Sequence, residues 1–151
     1  MTRRIFLILL VNLVSLLIVG CQIENTSAQF SSYKVEWIGH QVPSEMTAAA
    51  ERNITLTLKN TGNEAWKSEP PYNIAISYHW YKDDNLTTWD GKRTGFPHDI
   101  APGEQITIDD VRIETPKEPG LYKLQLTLVH ENVTWFEAKG ASVLLIPVNV
   151  R

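Results

Sequence analysis

Asn73-Ile74-Ala75-Ile76-Ser77-Tyr78-His79-Trp80-Tyr81 is the stretch whose reading decides the fold. Ile74, Ile76, Tyr78 and Trp80 fall on one parity, Ala75, Ser77, His79 and Tyr81 on the other. Successive side chains of a strand point to opposite faces, so one face is a continuous apolar and aromatic wall and the other is mixed. A wall of that size needs a second sheet to cover it. The stretch therefore reads as a central strand of a β-sandwich, with Trp80 filling the space between the sheets.

Short strands surround it on both sides. Tyr33 to Ile38 alternates around Val35 and Trp37, and Pro43-Ser44 breaks it. Asn53 to Lys59 sets Ile54, Leu56 and Leu58 against Thr55, Thr57 and Lys59, a half-buried strand closed by the turn cluster Asn60-Thr61-Gly62-Asn63. Beyond the central strand, Lys82-Asp83-Asp84-Asn85 turns the chain into Leu86 to Trp89, and Asp90-Gly91 turns it again. Alternation resumes after Pro102-Gly103-Glu104 with Ile106 and Ile108 and continues with Val111 and Ile113. After Pro119-Gly120 come Tyr122, Leu124, Leu126 and Leu128 on one face, and a last strand runs from Val143 to Val150. About seven or eight strands with turn signals between them, and no useful helical periodicity, predict an all-β, antiparallel sandwich of immunoglobulin type. Tyr122, soon after a Pro-Gly turn on the penultimate strand, fits a tyrosine corner. Trp80, Tyr78 and Tyr122 are the expected core, with Trp66 closing one end of it.

The 151 residues, 43% hydrophobic and 21% charged, suit one globular domain. Arg3 and Arg4 precede an apolar run from Ile5 to Gly20, slightly short for the roughly 20 residues of a membrane-spanning helix, and this reads as a signal peptide. The run ends in Ile18-Val19-Gly20-Cys21, which resembles the lipobox of bacterial lipoproteins. The resemblance implies that Cys21 is the diacylglycerol-modified, acylated first residue of the mature chain; a buried core cysteine or an uncleaved anchor are the alternatives. Cys21 is the only cysteine, so no disulfide competes for it. Several acyl chains anchor firmly where one is marginal, each buried CH2 contributing about 0.8 kcal/mol. Gln22, rather than Asp, resembles the pattern of lipoproteins released to the outer membrane. Residues 1–20 are then the leader, 21–32 a lipidated, polar tether and 33–151 the folded domain. A cut after Ala28, which would release a soluble protein, has a poorer motif.

With the leader removed the net charge moves from −3 to about −5. No basic stripe interleaved with aromatics is present, which argues against nucleic acid as a partner. The Asn-x-Ser/Thr triplets at Asn25, Asn53, Asn85 and Asn132 have no glycosylation role behind a bacterial lipobox.

An ordered set of residues carries a family resemblance: Asn60-Thr61-Gly62-Asn63 with Trp66, Ser77-Tyr78-His79-Trp80, Trp89-Asp90-Gly91 with Arg93-Thr94, Asp99 to Glu104, Pro119 to Tyr122, and Trp135-Phe136 with Gly140. Together they resemble the Ig-like domain appended to bacterial glycosyltransferases and methyltransferases. More distantly they are similar to the four-tryptophan domain of autophagy cargo receptors, which recruits protein cargo. The match runs from about Ser44 to Val150. It implies a fold, and fold alone is a weak warrant for function.

Chemistry-bearing residues are sparse. His40, His79, His98 and His130 lack the close spacing of a metal site, and no metal or cofactor is expected. His79 reads as a hydrogen-bonded or exposed sheet residue and His130 as a satisfied histidine at the core edge. Asp83-Asp84 and Asp109-Asp110 read as solvated turn charges rather than an acid/base pair. No nucleophile motif surrounds Ser31, Ser32 or Ser142, so an enzyme is not expected. The aromatics lead instead. Trp66, Tyr81, Trp89, Trp135 and Phe136 cannot all fit between the sheets with Trp80, Tyr78 and Tyr122. Of these, Trp89, Tyr81, Trp135 and Phe136 are candidate ligand- or partner-binding residues, since exposed rings anchor proteins or stack on sugars. Trp66 and Trp135 have a second reading as caps on the ends of the core. The expected function is a non-catalytic, lipid-anchored envelope protein that binds another envelope protein; the alternative is a carbohydrate-binding module.

Overall fold

The computed structural model describes residues 32–151, so the leader, Cys21 and the tether up to residue 31 lie outside the described residues. Ten strands follow in order: β1 (Val35–Gln41), β2 (Glu45–Met46), β3 (Glu51–Asn60), β4 (Ile74–Lys82), β5 (Asn85–Thr88), β6 (Thr94–Gly95), β7 (Gln105–Glu114), β8 (Gly120–His130), β9 (Thr134–Trp135) and β10 (Leu144–Val150). A 3-10 turn, Glu137–Lys139, separates the last two. One sheet has the order β1-β3-β7; the other has β2-β10-β8-β4-β5, with β6 also on β4 and β9 on β8. Only β2 runs parallel to its partner, β10. The result is an immunoglobulin-like β-sandwich. Its strands outnumber the seven or eight expected because β2, β6 and β9 have two residues each, too few to leave an alternation in the sequence.

The pairing of β3 with β7 explains a change of phase in the sequence. Ile54 faces Val111 and Leu56 faces Ile108, leaving Asp109-Asp110 as a bulge opposite Thr55. An extra residue switches which parity faces inward, and Ile108, Val111 and Ile113 are all buried. Asp109 and Asp110 are thus exposed residues of a continuous strand, not a turn as the sequence suggested.

The core is organised on β4, which is buried on both faces from Ile74 to Trp80. On its inner face Tyr78 Oη accepts the Glu114 N–H at 2.8 Å and Trp80 Nε1–H donates to the Glu114 carbonyl at 2.9 Å. Both aromatics of one sheet therefore grip one residue of the other. Trp80 meets Tyr78 and Tyr122 edge-on, at 6.5 and 5.9 Å between centroids, contacts worth about 0.5–1.5 kcal/mol each beyond buried area. Tyr122 Oη–H donates to the Glu118 carbonyl at 2.9 Å, four residues back, which is the bond of a tyrosine corner. Trp66 closes one end of the core, with Phe96 and Phe136 against it at 5.5 and 5.9 Å. Trp135 does not close the other end; it lies outside the sheet.

Two positions fix the loops. Asn60 is fully buried: its Nδ2 donates to the Glu64 and Ile100 carbonyls at 2.8 and 3.0 Å, and its Oδ1 accepts the Gly62 N–H at 2.9 Å. The second is Gly91, where a Cβ would stand 2.5 Å from the Tyr78 carbonyl oxygen and 2.7 Å from its ring. Only glycine lets the chain after β5 lie this close along β4, with the Gly91 N–H on the Tyr78 carbonyl at 3.1 Å.

Asn60→Ala should lower unfolding free energy by about 2–4 kcal/mol, since each stranded buried polar group costs roughly 1–3 kcal/mol; urea denaturation measures it. Gly91→Ala should cost about 1–3 kcal/mol by overpacking and shift the near-ultraviolet circular dichroism of the tryptophans, because the loop bearing Trp89 must move away from β4.

Candidate functional site

The outward face of β4 carries Ala75, Ser77 and His79, and all three are buried. A sheet face that alternation alone leaves to solvent is covered here by two segments. The chain from Trp89 to Arg93 crosses from the β5 side; β9 and the 3-10 turn cover it from the β8 side, burying Thr127 and Val129 as well. The sandwich thus has a small second core outside the larger sheet, partly polar and partly aromatic.

His79 is its centre. The ring has no solvent exposure. Nδ1 contacts the Trp89 carbonyl oxygen and Nε2 contacts Glu137 Oε1 at 2.9 Å. Thr127 Oγ1–H donates to Glu137 Oε2 at 2.5 Å. Burial pushes the Glu137 carboxyl up, but the bonds from His79 and Thr127 and one from its own backbone outweigh it and hold the carboxyl below its usual range. With both ring nitrogens engaged, His79 has none to offer a substrate.

Two tryptophans pack on this histidine. Trp89 stacks on the imidazole at 4.3 Å with the planes 8° apart, and Trp135 tilts against it at 4.5 Å. The indoles meet each other at 5.3 Å and 61°. Arg93 lies over Trp135 with Cζ 4.9 Å from the ring centroid. Its guanidinium pairs with Asp90 and Glu131, each at 2.7 Å, and donates to Ser77 Oγ at 3.1 Å and the Gly91 carbonyl at 2.5 Å. Burial pulls the Arg93 pKa down, while the two carboxylates more than offset it and raise it. Trp89, 48% exposed, and Val133, 53% exposed, edge a surface depression of about 320 Å3 that Trp135, Arg93, Glu131 and Asn132 complete.

Of the four candidate aromatics, the structure brings Trp89 and Trp135 together. Tyr81, two residues beyond His79 on the same face, belongs to a second depression of about 510 Å3 shared with Leu121, Lys123 and Pro147. Phe136 needs correction: at 1% exposure it is a core residue, with Tyr33 at 5.1 Å and Trp66 beyond. The chain bends between the two residues: Trp135 ends β9, whereas Phe136 has helical backbone angles, φ −63° and ψ −39°, at the start of the 3-10 turn, and this bend leaves Trp135 on the outer face and sends Phe136 into the core. The residues that sequence reasoning missed are Glu137, Thr127 and Arg93. Arg93 had a signal, its place beside Trp89-Asp90-Gly91; Thr127 and Glu137 meet His79 only through strand pairing and the 3-10 turn. Among the described residues no group of three or more His, Cys, Asp or Glu is placed to hold a metal ion. No helix among them is long and apolar enough to cross a membrane.

No protein-family model matches the chain, and no curated protein matches it. Among solved structures, similar ones include the CARDB domain of PF1109 from Pyrococcus furiosus, at 17% identity and a TM-score of 0.43, covering 78% of this chain and 92% of that one. A β-glucosidase from Listeria innocua matches at 16% identity and 0.45, over 78% of this chain and 16% of its own. The alkylpurine DNA glycosylase AlkC of Pseudomonas fluorescens, bound to DNA containing an abasic site analog, matches at 12% and 0.46, over 78% of this chain and 30% of its own. These likenesses concern the fold alone, and none of those proteins' activities passes to this chain.

Proposed function

We propose that this protein is a non-catalytic binding module held at the bacterial cell envelope by a lipid on Cys21, and that it captures a protein partner through the Trp89–Trp135 surface. The observation carrying the proposal is that Trp89 is half exposed yet fixed from beneath by its stack on buried His79. An aromatic ring that is already ordered loses little conformational freedom on binding, which is the property of an interface anchor. Val133 beside it extends the apolar area, and Asp90 and Glu131 supply a polar rim. The anchor part of the proposal rests on the resemblance of Ile18 to Cys21 to a lipobox, and the domain part on the resemblance to the Ig-like domain appended to bacterial glycosyltransferases and methyltransferases.

A second reading, carbohydrate binding, has one observation in its favour. Trp89 keeps 48% of its surface exposed while its stack on His79 holds the ring in place, and an ordered, half-exposed indole is a surface on which a sugar ring can stack.

Detergent-solubilised envelope passed over the immobilised protein should yield one dominant retained protein, and Trp89→Ala should reduce its recovery at least about tenfold, the effect of a hot-spot aromatic, with a lowered denaturation midpoint from loss of the stack on His79 but a domain that still folds. Retained polysaccharide without protein, together with quenched tryptophan fluorescence on adding envelope glycans, would replace the protein reading by the carbohydrate one. Cys21→Ser should move the protein from the membrane fraction to the soluble fraction and abolish labelling by a fatty-acid probe; persistent labelling would remove Cys21 as the lipid site.

A further inference from the structure

Two carboxylates share one guanidinium at the rim of the Trp89–Trp135 depression. Arg93 Nη1 takes Asp90 Oδ1 and Arg93 Nε takes Glu131 Oε1, each at 2.7 Å, so the second oxygen of each carboxylate is left for another donor. Asp90 has 68% of its side chain open to solvent, and Glu131 is partly exposed. The other titratable residue lining the depression is His130; its Nδ1 meets the Tyr33 hydroxyl at 3.0 Å and burial pushes its pKa down, so it adds no cation at neutral pH. The depression therefore carries a net negative charge beside a half-exposed indole. We infer that the partner it takes is a protein presenting an arginine side chain, whose guanidinium packs against Trp89 and bonds to the open oxygen of Asp90.

The molecule already holds one arginine in this way. Arg93 lies over Trp135 with Cζ 4.9 Å from the ring centroid while its N–H groups reach the same two carboxylates. A planar guanidinium can stack on a ring and donate in its own plane to a carboxylate at once, which a lysine ammonium does less well. Trp89 stands next to this arrangement, 5.3 Å from Trp135, and is the indole with room. It is 48% exposed, and among the described residues the cations over rings are Lys82 on Tyr122 and Arg93 on Trp135. A cation brought to Trp89 gains both the ring and the uncompensated carboxylate charge. An anionic partner would instead meet two carboxylates whose single cation is already shared, and would be repelled. The chain beyond the leader is itself net negative, so the wider field has the same sign. The nature of the partner rests on the partner surface proposed above; the affinity of the depression for a guanidinium does not.

The test uses the full chain in a non-ionic detergent and three capped tripeptides at millimolar concentration: acetyl-Gly-Arg-Gly-amide and its lysine and glutamate counterparts. In 1H–15N spectra the arginine peptide should shift the indole N–H signals of Trp89 and Trp135 saturably, the lysine peptide less, and the glutamate peptide not at all. Raising sodium chloride from about 0.05 to 0.5 M should weaken the arginine effect several-fold, because exposed charges are screened. Asp90→Asn keeps the shape and removes the charge, and should weaken it about two- to fivefold, the scale of one exposed charge pair. Indole signals that ignore the arginine peptide, or that answer the lysine or glutamate peptide equally, would overturn the inference; so would an arginine effect untouched by both salt and Asp90→Asn. If Asp90→Asn does not fold, the peptide and salt series on the wild-type protein decide. Partner capture separates the two proposals. An arginine effect in a protein that captures nothing from the envelope would sink the binding reading and leave the guanidinium site standing. A captured partner whose retention is indifferent to salt and to Asp90→Asn would keep the binding reading and overturn the arginine.

Discussion

The grip of β4 on Glu114 is the contact on which the rest of the sandwich depends. Two sheets stacked face to face are held by side chains that interdigitate, and here no disulfide joins them, since Cys21 precedes the domain. Tyr78 and Trp80 replace a covalent tie by taking both backbone groups of one residue on the opposite sheet. Each bond satisfies a polar group that would otherwise be buried without a partner, so the aromatics can sink to 1% and 0% exposure without a desolvation penalty. Tyr122 repeats the device at the neighbouring strand by closing the corner onto Glu118. The pairing register then places every other inner-face residue.

A strand so firmly held can also serve its other face. Ser77 and His79 lie opposite Tyr78 and Trp80, and their backbone is fixed by the same core. The loop from Trp89 to Arg93 approaches because Gly91 has no side chain, and the β9 segment approaches because Phe136 is anchored in the aromatic cluster with Trp66 and Tyr33. The outer tryptophans are therefore tied to the inner core from two directions. Such a surface is rigid by construction, which is why a half-exposed Trp89 reads as an anchor rather than a loose loop residue.

The polar part of the outer cluster differs in kind from the ion pairs elsewhere on the molecule. Lys67 holds Asp99, aided by the Ser68 N–H, and brings that carboxyl down to about 2, but the pair is exposed and solvent screens it. His79 and Glu137 meet where water is excluded from the ring, so their hydrogen bond is not screened as the surface pairs are.

Much of this was legible in the residues alone. Strand alternation is a local property with period two, so Ile74 to Trp80, Ile54 to Leu58 and Tyr122 to Leu128 announce their faces without reference to anything distant. Turn chemistry is equally local, and Pro119-Gly120 before Tyr122 was enough to place the corner. The pairing of Trp89 with Trp135 was legible only as a surplus of rings over core space. The tertiary structure alone decided which ring went where: Trp135 and Phe136 are neighbours of like chemistry, and their fates diverge because one meets Val129 and His79 outside the sheet and the other meets Trp66 inside. It also decided that His79 would be buried and doubly bonded, since its partners come from residues 89, 127 and 137, brought together by strand order. Sequence periodicity records which side of a strand a residue takes; what covers that side is set by chain segments whose distance along the sequence carries no signal.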